Sequence, residues 1–179
     1  FAMITRIFMI AMFPLRPSWM AIMSVVSILT MTVGNVAAIT QSNVKRLLAY
    51  SSISHAGYIL LGLIAGNDTG LTAVPMYLLV YTFTNLGAWA VIVALRRKDV
   101  IGEHIDEMNG LFFKHPASAV LMLIFLLSLA GIPPTAGFIA KYYLFSSVVQ
   151  TGHIQLAVVA VLNAAISAYF YLRIVVAMF

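Results

Sequence analysis

Cysteine is absent from the 179 residues, which excludes disulfides, thiolate metal sites and cysteine-bound clusters from this chain. Acid is scarce too: five Asp and Glu stand against ten Lys and Arg, a formal charge of +5. No paired acid–base carboxylates can be assigned. Nucleophile triads, phosphate-binding glycine loops and haem motifs are also missing, so no redox chemistry is legible in this chain. Charge of either sign makes up only 8% of the residues, against roughly 25% in a soluble domain. The basic excess does not imply nucleic acid, because Lys and Arg flank apolar runs instead of forming a patch.

What the chain has is apolar length. Hydrophobic residues account for 63% of it, more than a water-solvated core of this size could bury. Runs near ~20 residues, the length that spans a bilayer as a helix, recur throughout. The predicted fold is all-α, a polytopic transmembrane helix bundle of about five spans plus a partial one. The partial segment is Phe1–Phe13, ended by Pro14 and Pro17. Helices follow at about Trp19–Thr40, Val44–Ala65 and Thr72–Leu95, with Gln41-Ser42-Asn43 as a capping stretch and Gly66–Gly70 as a turn. After a polar loop, Arg96–His115, Pro116 opens the segment Ala117–Gln150, and a last helix runs from about Ile154. The chain opens at Phe1 inside one apolar run and closes at Phe179 inside another, and no signal peptide is visible. A piece of a longer protein is therefore expected.

Ala117–Gln150 is too long for one span: its helix would reach about 50 Å against a hydrocarbon core of about 30 Å. Its centre holds Gly131, Pro133, Pro134 and Gly137, so a discontinuous helix with Ile132–Gly137 non-helical is predicted. Lys45, Arg46, Arg96, Arg97, Lys98 and Lys114 gather on one side, with Arg173 near them, and Arg16 on the other. The positive-inside rule makes the rich side cytoplasmic, or the matrix in a mitochondrion.

Lys141 lies four residues past Gly137, well inside the apolar zone. An ionisable residue there is a functional candidate by default, and lysine can release a proton where arginine in effect cannot. The alternative is an amine snorkelling to the far interface. Broken helices mark ion sites in transporters, although a proline pair can also be a packing kink. His55 follows Ser51 and Ser52 by four and three residues, one face of a helix, and suits either a proton relay or a packing contact. Lys45, which opens that helix, reads as the entry or connecting point of a proton path or as a topology signal. Tyr77, Tyr81 and Asn85, with Thr84 beside them, can line a cavity or bond neighbouring helices. Asn163 and Ser167 are assigned to packing. Asp99, Glu103, Asp106, Glu107 and His104 read as solvated or as contacts to a neighbouring subunit. Metal ligation by them is weakly signalled and no metal site is assigned.

Two strings carry a resemblance. Gln41-Ser42-Asn43-Val44-Lys45-Arg46-Leu47-Leu48-Ala49-Tyr50-Ser51-Ser52-Ile53-Ser54-His55-Ala56-Gly57-Tyr58 and Ser128-Leu129-Ala130-Gly131-Ile132-Pro133-Pro134-Thr135-Ala136-Gly137-Phe138-Ile139-Ala140-Lys141 resemble the antiporter-like subunits of respiratory complex I, which also occur in cation/proton antiporter complexes. The N type is nearest. Tyr81–Trp89 looks like it, where L and M types tend to carry histidine and lysine. Ser51–Tyr58 is similar, and Lys141 stands where the M type has glutamate.

The resemblance implies a subunit of about fourteen helices with two inverted repeats. Residues 1–179 would be a single membrane domain within it, and the second repeat would cover about 19–179. Lys141 matches the lysine on the family's broken helix, and Lys45 the one opening an earlier helix. It also implies proton translocation coupled to quinone reduction, as a subunit of a translocase. NADH, FMN, iron–sulfur clusters and quinone would be carried elsewhere in the complex, with none bound by this chain. The implied partners are other complex I membrane subunits and lipid, with protons as the transported species and no nucleic acid. The implied location is the bacterial inner (plasma) membrane in preference to the mitochondrial one. Two rivals stand beside it, a cation/proton antiporter subunit and a structural subunit with a vestigial channel.

Overall fold

The computed structural model describes residues 1–97 and 103–179. Lys98 and Asp99, read from the sequence as part of the positive side and of the acid-bearing loop, lie outside the described residues. Helix α1 (Ala2–Arg6) runs on through a π turn, Ile7–Ala11, and a 3-10 turn, Phe13–Leu15. Long helices follow as α2 (Arg16–Ile39), α3 (Val44–Ala65) and α4 (Asp68–Arg97), then a 3-10 turn at Ile105–Met108 and the short α5 (Leu111–Lys114). The chain closes with α6 (Pro116–Ala130), α7 (Ala136–Gln150) and α8 (Ile154–Met178). No strand is present among the described residues, only an isolated bridge between Asn43 and His104. The bundle is thus the expected polytopic helical membrane architecture. Four stretches are long and apolar enough to cross a membrane, and one further pass is split into α6 and α7.

Several boundaries differ from expectation for local reasons. Pro17 does not end the first segment. It sits in the first turn of α2, which starts at Arg16 rather than Trp19, because proline's missing N–H falls among first-turn donors that have no helical partner anyway. Asp68, Thr69 and Gly70 are the first turn of α4 and not a loop. Asn67 Oδ1 accepts the Gly70 N–H at 2.8 Å and so caps the helix start. The break covers Gly131–Thr135, so Ala136 and Gly137 are helical, contrary to the predicted span. Thr135 caps α7 by accepting the Phe138 N–H at 3.4 Å.

Lipid supplies no hydrophobic drive between helices, so close backbone approach and polar pairs hold such a bundle together. A Cβ on Gly57 would meet the Met31 side chain at 2.6 Å, and Ser27 Oγ donates to the Gly57 carbonyl at 2.8 Å. This locks α2 to α3. Asn35 Nδ2 donates to both Oδ1 and the carbonyl of Asn163, each at 3.0 Å, and ties α2 to α8. Outward, α2 presents Ile22, Val25, Leu29, Val33 and Val36.

The two ends are chemically distinct. Arg173 donates to the carbonyls of Ile39 and Gln41, at the end that also holds Lys45, Arg46 and Arg96. Arg16 donates to Ile64 and Ala65 carbonyls at 3.1 and 2.6 Å, at the opposite end. The polar loop is not simply solvated. The Val44 N–H donates to the Glu103 carbonyl and the Ile105 N–H to the Ser42 carbonyl, both at 2.9 Å, and the Gly110 N–H donates to Ala177 at 3.1 Å.

Two outcomes are expected. The native chain has no cysteine, so Asp106→Cys and Gln155→Cys in the full-length subunit give clean probes of the two ends. Impermeant thiol reagents should reach Asp106→Cys only from the cytoplasmic side and Gln155→Cys only from the other, and the reverse pattern would invert the topology. Gly137→Ala should weaken the break. Its Cβ would lie 1.8 Å from the Ser128 carbonyl oxygen, a backbone atom that cannot rotate away. A loss of roughly 1–3 kcal/mol, typical of overpacking, should appear as a lower melting temperature of the purified protein.

Candidate functional site

The site grows from the end of α6. Gly131, at φ 80°, turns the chain out of the helix, and its N–H closes on the Leu127 and Ser128 carbonyls. The carbonyls of Leu129 and Ala130 are instead met by Lys141. Its Nζ donates to them at 3.0 and 2.9 Å, from a side chain 4% exposed. Across the break, the Gly137 N–H donates to Ser128 Oγ at 3.2 Å. The lysine thus satisfies acceptors that helix termination leaves open, at the negative end of the α6 dipole.

Its surroundings are dipolar. The ammonium lies 5.0 Å from the centre of the Tyr58 ring, close enough for a cation–π contact. Among the described residues the salt bridges are both to Glu103, so Lys141 has no carboxylate partner there. An ammonium has three N–H donors. A neutral amine keeps two, enough for both carbonyl bonds. The backbone at the break therefore stays satisfied whether or not Lys141 carries its proton.

Lys141 faces a small cavity lined also by His55, Tyr77, Tyr81, Thr84, Ser128 and Gly137. Its volume is about 10 Å³, room for about one water. His55 is buried on α3, with Nδ1 2.7 Å from the Tyr77 hydroxyl and Nε2 3.1 Å from the Tyr171 hydroxyl. The Tyr81 ring lies against it at 4.7 Å between centroids.

A family profile described as "NADH:quinone oxidoreductase/Mrp antiporter, TM" matches residues 1–167. The chain belongs to that family. NADH-quinone oxidoreductase subunit N 2 of Solibacter usitatus is 57% identical over 99% of this chain, which spans 36% of that relative. Among solved structures, respiratory complex I from Thermus thermophilus with bound aureothin matches at 38% identity and a TM-score of 0.78, over 89% of this chain and 36% of that one. The Mrp complex from Dietzia sp. DQ12-45-1b matches at 30% identity and a TM-score of 0.91, over 99% of this chain and 33% of that one. The chain thus spans about a third of the length of the proteins it matches.

Of the residues singled out from the sequence, Lys141, His55, Tyr77, Tyr81, Thr84 and Gly137 meet around the cavity in this family member. Ser51 and Ser52 do not line it. Their hydroxyls donate to their own helix, at the Leu48 and Ala49 carbonyls. Asn85 is half-buried outside the lining, and Pro133 and Pro134 are exposed at the break. Lys45 stands apart, at the end of the bundle, bonded to Glu103 Oε1 at 2.8 Å. Sequence reasoning did not single out Tyr58, Tyr171 or Ser128 as site residues. Tyr58 was within reach, since it follows His55 by three residues on one helical face. Tyr171 carried no local signal.

Glu103, read from the sequence as solvated, is a latch. It accepts from Lys45 and from Asn43 Nδ2 at 3.0 Å, and pairs with Arg96 Nη1 at 3.2 Å. The hydrogen bonds from Lys45 and Asn43 hold its carboxyl below the usual carboxylate value. A carboxyl with a depressed folded pKa stabilises above its unfolded value, near 4.5, and loses that contribution as pH falls through the folded one. The protection factors of the Val44 and Ile105 amides, which correct for the intrinsic slowing of exchange in acid, should therefore be high at neutral pH and fall below about pH 4.5. Glu103→Gln should show the low protection already at neutral pH. Unchanged protection in Glu103→Gln would show that the backbone bonds hold the loop without the carboxylate.

Proposed function

We propose that this chain is part of subunit N of a proton-translocating NADH-quinone oxidoreductase, and that it carries one proton-transfer centre of that subunit. The single observation behind this is the state-independent satisfaction of Lys141. A buried amine held by two backbone carbonyls, with no carboxylate partner among the described residues, can give up and regain a proton without leaving a polar group unpaired. Strong identity to a subunit N relative supports the choice of complex. In this reading Lys141 is the carrier, His55 a relay, and Lys45 the uptake point, released from Glu103 when it loads. Ser51, Ser52 and Asn85 join the path only when water enters. The redox groups FMN, iron–sulfur clusters and quinone, with NADH as donor, belong to other subunits. The chain contributes to a translocase without a redox centre of its own, in a bacterial inner membrane beside other membrane subunits and lipid. Residues 1–179 form one membrane domain, with 19–179 as the second inverted repeat of the whole subunit.

The likeness to an Mrp complex component keeps a second reading, a subunit of a cation/proton antiporter. NADH-driven proton uptake in vesicles carrying the full-length subunit separates the two, because the antiporter has no dependence on NADH.

Lys141→Met and Lys141→Arg test the carrier role. Methionine cannot donate to Leu129 and Ala130, although water in the cavity can reach them, so assembly should persist with some loss of stability. Uptake should fall by tenfold or more, since removing a group that transfers protons commonly costs roughly a hundredfold in its step. Arginine keeps a positive charge and donors for both carbonyls but does not release a proton. It should restore stability and not uptake. Near-native uptake with arginine would reduce Lys141 to a helix cap.

A further inference from the structure

Most buried histidines are held in one tautomer, because a carboxylate or a backbone carbonyl on one ring nitrogen dictates where the proton sits. His55 has neither. Its two nitrogens face Tyr77 on α4 at 2.7 Å and Tyr171 on α8 at 3.1 Å, and all three residues are almost fully buried. In an uncharged imidazole one nitrogen donates and the other accepts, whereas a phenol hydroxyl does either. The bracket therefore satisfies both tautomers equally, with only hydroxyl rotation between them. The two tyrosines also lead to different places. Tyr77 lines the cavity that Lys141 faces, while Tyr171 neighbours the buried Ser51 hydroxyl, one turn along α3 toward Lys45.

We infer that Tyr171, His55 and Tyr77 form a proton wire, in which the histidine takes a proton on one ring nitrogen as it releases one from the other. The inference rests on the proton-translocation reading of the chain and adds two residues that reading does not need. In the forward step Tyr171 passes its hydroxyl proton to Nε2, forming that N–H bond. The Nδ1–H bond breaks and its proton moves to the Tyr77 oxygen. Tyr77 releases its own proton into the Lys141 cavity, and Tyr171 regains one from the Ser51 side. Each phenol loses one proton and gains one, the ring keeps one N–H throughout, and a single proton has crossed the bracket. A water in the cavity beside His55 resets the ring by taking the proton from Nε2 and returning one to Nδ1, and the same steps run backwards for transfer the other way.

The test uses the full-length subunit in its assembled complex, in membrane vesicles. Tyr77→Phe and Tyr171→Phe each remove one oxygen and keep the ring, and Lys141→Met is the reference. Readouts are assembled complex, NADH oxidation and protons taken up per NADH. Each phenylalanine variant should lower protons per NADH severalfold with assembly retained, and the double variant should be no worse than either single, because a series wire cut once is already cut. Hydroxyls that only tie helices together would instead give losses that combine in the double variant, and that result overturns the wire. So does native uptake in either single variant while Lys141→Met abolishes it, which leaves the translocation reading standing. Native uptake in Lys141→Met removes that reading and the wire with it. Should a phenylalanine variant fail to assemble, 3,5-difluorotyrosine at the same position keeps ring and hydroxyl and alters only acidity. A severalfold change in uptake then supports the wire, and an unchanged rate overturns it.

Discussion

Everything at the centre of the bundle depends on the bond between the Lys141 amine and the last carbonyls of α6. In hydrocarbon, a helix cannot simply stop. Each open carbonyl there costs several kcal/mol, because no water is at hand to bond it. The break between α6 and α7 is therefore possible only if donors are brought to it from elsewhere. Lys141 brings two and Ser128 serves the α7 end. The dependence is mutual, since a buried amine without acceptors would be as costly as the carbonyls without donors. Glycines at 131 and 137 make the meeting possible. A Cβ on Gly131 would sit 2.8 Å from Lys141 Cδ at a backbone angle that L side chains rarely adopt.

Charge is handled by two different means in the two regions. At the bundle end Lys45, Arg96 and Glu103 pair directly, half-exposed, and such pairs contribute little to stability. Their effect is positional, holding the loop across the start of α3. In the interior no carboxylate answers Lys141 among the described residues, and carbonyl dipoles, a helix end and a ring face take its place. A counter-ion would fix the proton by making deprotonation cost an ion pair. Dipoles bias the amine far less, and they remain in place when the charge leaves.

The break was legible because proline and glycine act locally, and so were the helix lengths. The boundaries were less so. Pro17 and Gly66–Gly70 carry the composition of interruptions, yet the same residues suit first turns once Asn67 or an N1 position gives them a role. Within the site, the spacing of Tyr77, Tyr81 and Asn85 overreached for a geometric reason. At 3.6 residues per turn, eight residues leave Asn85 about 80° from Tyr77, whereas seven bring Thr84 within about 20°, and Thr84 is the one that lines the cavity. Ser51 and Ser52 stand near His55 in sequence, but their hydroxyls are consumed by carbonyls three residues back, a local competition that spacing does not reveal. Partners distant in sequence were beyond reach: Glu103 is 58 residues from Lys45 and Tyr171 is 116 from His55.

Fold likeness alone leaves the function open, since one architecture serves quinone-linked and antiporter assemblies alike. What narrows it is the chemistry enclosed. The cavity that Lys141 shares with His55 admits about one water, too little for a continuous water chain between the two, while Lys141 also lines a larger pocket of about 350 Å³ beside Gly131, Phe138 and Ala164. The groups within reach are few and of one kind, hydroxyls and an imidazole that can each donate or accept. Apolar packing could have filled the same volume without burying polar atoms that need partners. Their presence around an amine that stays satisfied in both charge states is the feature that the proton-transfer proposal accounts for and that a packing role leaves without a reason.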